Sequence, residues 1–115
     1  MKLKDIITDE VIKSASSGTY NDLESYQVEP GTILEVRHVS VENRTTDYTR
    51  LVVGVADALS FFQKEEEIAP AANVIYWTKS YFLVPAGKKL RARLTDCTSQ
   101  DDLHMTYEGY LWETD

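Results

Sequence analysis

The stretch from Tyr81 to Thr95 constrains this chain more than any other. It opens with Tyr81, Phe82, Leu83 and Val84, turns through Pro85, Ala86 and Gly87, and continues into a second segment. There Leu90, Ala92 and Leu94 alternate with Lys89, Arg91 and Arg93. Strict alternation is the mark of a strand with one dry and one wet face. Proline cannot donate to a ladder and glycine accepts positive φ, so the pair punctuates two strands. An earlier copy runs from Val28 through Pro30 and Gly31 to Leu34, Val36 and Arg37. Counted from each glycine, these three match Leu90, Ala92 and Arg93. Two such units predict two edges or corners of one β-sandwich.

The remaining text is also β in character after Tyr20. Leu23 to Val28 predicts a first strand, and Thr32 to Glu42 a long second one. The second changes phase: Leu34 and Val36 share one face, Val39 and Val41 the other. A β-bulge near Arg37-His38 turns all four inward; burial on both faces is the alternative. Asn43 to Asp47 reads as a turn. Tyr48 to Ala56 reads as a strand in which Gly54 marks a close approach. Glu65, Glu66 and Glu67 would crowd the negative end of a helix, so Leu59 to Gln63 is predicted as a strand, followed by an acidic loop to Pro70. Val74 to Thr78 is strongly β-prone. In the last strand, Leu103 to Glu113, Leu103, Met105, Tyr107, Gly109 and Leu111 face one way. His104, Thr106, Glu108, Tyr110 and Trp112 face the other. About eight strands with turn signals between them predict an all-β fold: a single antiparallel β-sandwich, jelly-roll-like.

Residues 1–18 read differently from the β-sandwich domain at 19–115. Thr8 can cap a short helix with Asp9 and Glu10 in its first turn, stapled by Ile7 and Ile12. The alternative is an extended arm whose Ile6, Ile7, Val11 and Ile12 dock on a neighbouring chain. Either form needs a partner surface.

At 115 residues there is room for one core. A net charge of −7 repels phosphate backbones, so nucleic acid is not an expected partner. The local cluster Lys88, Lys89, Arg91 and Arg93 reads as a solvated or salt-bridged face. No apolar run approaches the ~20 residues of a membrane span, and no secretion signal is read at the N-terminus. The single cysteine, Cys97, excludes an internal disulfide and has no neighbour that would activate it.

Catalytic and metal chemistry are not expected. His38 and His104 lie on separate strands without a second ligand at metal-binding spacing. Asp101-Asp102 and the Glu65–Glu67 run are loop neighbours rather than carboxylates facing across a cleft. No calcium loop, nucleophile elbow or phosphate loop is present, and no cofactor is predicted. The remaining lead is aromatic. Tyr76, Trp77, Tyr81, Phe82, Tyr107, Tyr110 and Trp112 crowd the last third, to fill the core, line an interface, or stack on a ligand.

The order of motifs resembles small β-sandwich virion proteins of tailed phages. The resemblance rests on five stretches: Val28 to Gly31, Arg37 to Asn43, Leu51 to Val55, Leu83 to Arg91, and Gly109-Tyr110-Leu111-Trp112-Glu113. It implies a non-enzymatic virion component, of the decoration, cement or minor structural type. It also implies self-association, a trimer being one form, and contact with other virion proteins such as a major capsid protein. Candidate contacts are Ile6, Ile7, Val11 and Ile12 with Tyr110 and Trp112; edge pairing by the final strand is a second route. The rival reading is a carbohydrate- or receptor-binding module with Trp77, Tyr81 or Trp112 as stacking platforms.

Overall fold

The computed structural model describes residues 1–114. It contains β1 (Lys2–Ser14), β2 (Tyr20–Glu24), β3 (Thr32–Asn43), β4 (Arg50–Ala56), β5 (Phe61–Ile68), β6 (Tyr76–Trp77), β7 (Phe82–Pro85), β8 (Lys89–Thr95) and β9 (Asp102–Glu113). One sheet has the order β1-β9-β3, with β6 and β7 pairing successive parts of the far edge of β3. The other has the order β2-β8-β4-β5, and every pairing is antiparallel.

Taken from the outside in, β1 pairs β9, β2 pairs β8, β3 pairs β6 and β7, and β4 pairs β5. That is one long antiparallel ribbon wrapped so that alternate pairs fall in opposite sheets. The fold is therefore a jelly-roll β-sandwich, with one ribbon strand broken into β6 and β7.

The two Pro/Gly units are corners between sheets. Pro85-Ala86-Gly87 carries the chain from β7 in the first sheet to β8 in the second, and Pro30-Gly31 leads into β3 from the β2 side. Gly31 and Gly87 have φ of 79° and 85°, a region closed to most side chains. The corners are tied together: the Gly87 and Val28 amides donate to Val28 O and Lys88 O at 2.8 and 2.9 Å.

The bulge in β3 is where the phase change placed it. The register against β9 shifts between Val36 and His38, leaving Arg37 as the extra residue. Leu34, Val36, Val39 and Val41 all turn inward and are at most 1% exposed. They pack with Leu23, Leu90, Leu94, Leu103, Met105 and Tyr107. Gly54 meets the backbone of Phe62, as its place in a strand implied.

Three expectations are corrected. Residues 2–14 form no helix; they are β1, laid along β9 from Lys2↔Glu113 to Ser14↔Asp102. The capping signals at Thr8-Asp9-Glu10 lose to a long ladder, broken once between Leu3 and Asp5, with a strand distant in sequence. The final strand cannot pair by its edge, because β9 already lies between β1 and β3. The Glu65–Glu67 run is not a loop but part of β5. Arg50 holds Glu66 in an ion pair, and Glu65 accepts from the Lys79 and Ser80 amides at 2.8 and 3.0 Å. Those partners hold Glu65 and Glu66 in place, and the run continues the strand begun at Phe61.

Candidate functional site

The outer face of the β1-β9-β3-β7 sheet carries several exposed apolar side chains. Alternation sends every second residue of each strand outward. The register then builds rows: Leu3, Trp112, Ile33 and Pro85 form one, and Ile6, Tyr110, Glu35 and Leu83 the next. The bulge aims Arg37 into the space beyond the second row, where Tyr81 lies beside it. Leu3, Ile6, Tyr81 and Leu83 are 44, 67, 65 and 56% exposed, so that an apolar rim flanks the rows on both sides.

A polar cluster sits inside that rim. Arg37 binds Glu35 at 2.9 Å, and the Trp112 indole N–H donates to the other Glu35 oxygen at 3.0 Å. The Arg37 guanidinium lies over the Tyr81 ring, 3.9 Å from its centroid, and 5.7 Å from that of Tyr110. Tyr110 and Trp112 meet edge to face at 6.3 Å. The Arg37 guanidinium beside Glu35 holds that carboxyl below its ordinary range; partial desolvation opposes this and the Trp112 bond adds to it. Charge and rings are thus joined in one network of direct contacts.

Of the residues singled out in the sequence, Ile6, Tyr110, Trp112 and Tyr81 come together here. Ile12 and Trp77 share the face but stand at its opposite end, beside His104 and Ser40. Ile7 and Val11 point the other way and pack on the core. Arg37, Glu35, Leu83, Ile33 and Leu3 escaped sequence reasoning as site residues. One signal for Leu83 was available: it is apolar between two core residues, Phe82 and Val84, so its strand has two apolar faces.

The remaining candidates are internally committed. Arg93 grips Asp22 with two bonds of 2.9 and 3.1 Å, and Arg91 meets Glu24 at 2.7 Å. Both guanidinium groups also lie near the Phe61 ring, at 5.1 and 5.2 Å from its centroid. His38 bonds Ser40 at 2.6 Å, and His104 bonds Asp102 at 2.7 Å. Among the described residues no three His, Cys, Asp or Glu side chains converge as metal ligands. Burial, with Asp101 and Asp96 nearby, pushes the Cys97 thiol up to about 11, which leaves it neutral at physiological pH. Among the described residues no helix is long and apolar enough to cross a membrane.

No protein-family model and no curated protein matches this chain.

Proposed function

We propose that this chain is a non-catalytic structural subunit that acts by packing the Trp112 end of its outer sheet face against a neighbouring subunit. One observation carries the reading: the Trp112–Glu35–Arg37–Tyr81 cluster, joined by direct contacts and flanked by exposed apolar side chains. Tryptophan, tyrosine and arginine dominate binding hot spots, and an apolar rim keeps water from the buried contacts. The molecule's longer extents are 44 and 26 Å. A face on that scale holds the ~800 Å² per partner of a standard interface.

The setting we propose is a phage virion, as a decoration, cement or minor structural protein, with copies of itself and neighbouring capsid proteins as partners. The order of turns and strand ends supports it. A sugar platform fits the geometry less well. Stacking needs a bare ring face, and Arg37 already covers one face of Tyr81.

Sedimentation equilibrium from 1 to 500 µM (a range on the order of interface Kd values) tests the reading with wild type, Tyr81→Asp and Leu83→Asp. The expected result is a concentration-dependent oligomer that both substitutions weaken at least tenfold. An oligomer indifferent to both would overturn the proposal. So would a monomer throughout that is retained on a glycan array and released by Trp77→Ala.

A further inference from the structure

Among the described residues, β1 has a second edge that no other strand uses. Ladder bonds alternate along a strand. The Ala15 amide reaches toward the β9 side, donating to Asp101 O at 2.8 Å, which sets the phase. The odd-numbered residues from Asp5 to Lys13 therefore face β9 with their backbone groups. Ile6, Thr8, Glu10 and Ile12 turn theirs to the outer edge. Two of those four amides are occupied from within: Asp5 Oδ1 accepts from Ile6 and Asp9 Oδ1 accepts from Glu10, each at 2.8 Å. Long bare edges invite pairing with another chain, and acidic side chains are a known way of blunting them.

We propose that this edge pairs with the same edge of a second copy, antiparallel about a two-fold axis through Asp9. Each residue then faces the one equally far on the other side of Asp9. Ile6 meets Ile12 of the second copy and Thr8 meets Glu10 on the outer face, at the positions whose amides and carbonyls point across. Ile7 meets Val11 and Asp5 meets Lys13 on the inner face, at the non-bonded positions. The two-fold repeats every pair, so like meets like in oil and opposite meets opposite in charge.

Neighbouring registers lack this match. An axis through Thr8 sets Ile6 against Glu10, Ile7 against Asp9 and Asp5 against Val11. An axis through Glu10 sets Ile7 against Lys13 and Asp9 against Val11. Any register in which even faces odd loses the hydrogen bonds altogether. One unfavourable contact remains in the favoured register, Asp9 against Asp9, where non-bonded partners come within ~4.5 Å between Cα atoms. Asp9 is thus the gate: its carboxylate caps the Glu10 amide in the single chain and repels its counterpart in the pair. Ile6 and Ile12, 67 and 58% exposed in the single chain, become the seam of a continuous sheet. The pairing does not depend on what covers the Trp112 end of the face.

Three measurements test this on the full-length chain. Asp9→Asn keeps Oδ1 as the acceptor for the Glu10 amide and turns its NH2 toward the Tyr107 hydroxyl, which bonds Asp9 Oδ2 at 3.0 Å in the wild type and can accept as well as donate. It removes the facing charges, and sedimentation equilibrium is expected to give a dimer Kd at least tenfold below wild type. In that background Lys13→Asp is expected to weaken the dimer at least tenfold, and adding Asp5→Lys to restore it. In a Cys97→Ser chain, Asp9→Cys is expected to give a disulfide-linked dimer on mild oxidation. Asp5→Cys is not, because its counterpart lies roughly 25 Å away in this register. An Asp9→Asn chain no more associated than wild type would overturn the proposal. So would a charge swap that fails to restore the dimer, or equal cross-linking at positions 5 and 9.

Discussion

Gly109 lies in β9 opposite the bulge that aims Arg37, and replacing it with alanine tests the whole construction of the site. A Cβ built on Gly109 falls 1.9 Å from the Glu35 carbonyl oxygen and 3.2 Å from Val36 Cα. Both obstacles are backbone, so no side chain can rotate away. Ordinary contact begins near 3.4 Å, which requires β3 to retreat by about 1.5 Å at the bulge. That stretches adjacent ladder bonds past the ~3.2 Å limit of a good hydrogen bond. Two bonds at ~1 kcal/mol each, with ~1–3 kcal/mol of repacking strain, set the loss. Alanine returns ~0.5–1 kcal/mol by restricting the unfolded chain. The net is about 3 kcal/mol, within a typical total of ~5–15 kcal/mol, so the variant folds and can be measured. Urea unfolding with a slope of ~1.5 kcal/mol/M should show the midpoint about 2 M lower. Gly31→Ala is the control. Its φ is 79° but its Cβ would meet nothing within 4 Å. The cost there is conformational alone, about 1 kcal/mol net. The Gly109 substitution should also displace Glu35 from Trp112 and shift tryptophan emission, which the Gly31 substitution should not. A Gly109→Ala midpoint within ~0.3 M of wild type would refute the reasoning, as would a larger loss at Gly31.

Two further outcomes follow from buried polar groups. Tyr48 is 4% exposed and its hydroxyl has no partner among the described residues. Tyr48→Phe should therefore hold stability or raise it by up to ~1 kcal/mol, and a loss beyond ~1 kcal/mol in thermal unfolding would contradict the orphan hydroxyl. Asp101 is 1% exposed; burial alone would raise its carboxyl, but bonds from Thr46, Asn43 and the Thr98 amide more than offset this and hold it low. A depressed carboxyl stabilises the fold above its unfolded value, near ~4, and that contribution fades as pH falls through the folded value. The gap in Tm between wild type and Asp101→Asn should shrink from pH 7 to pH 3, and a constant gap would sink the assignment.

What the sequence disclosed, and what it hid, divides by the range of the interaction. The bulge at Arg37 was legible because two apolar pairs on one strand, Leu34/Val36 and Val39/Val41, stood out of phase. The corners at Pro30-Gly31 and Pro85-Ala86-Gly87 were legible because local backbone chemistry dictates them. β1 was not, since Ile6 and Ile12 point out while Ile7 and Val11 point in, and apolar residues on both faces erase the period of two. Its partner, β9, comes at the far end of the ribbon. The Glu65–Glu67 strand was hidden for the same reason: the charges are visible in sequence, whereas Arg50 and the Lys79–Ser80 amides that hold them are not. At the site, Tyr110 and Trp112 could be named as contacts, but no local pattern says that Glu35 and Arg37 would bind them into a cluster with Tyr81.

The wrapped ribbon also sets a timetable. Its outermost pair joins β1 to β9, and all of residues 15–101 must be made between them. At ~5–20 residues per second on the ribosome, β1 waits roughly ten seconds for the strand that will hold it. During that interval both of its edges are bare, and neighbouring ribosomes on one message hold other copies of the same segment close by. The carboxylates of Asp5 and Asp9 sit on β1 from the moment it emerges. Both cap amides of their own strand, and the facing charges of Asp9 oppose a premature partner at the time when one would do the most harm.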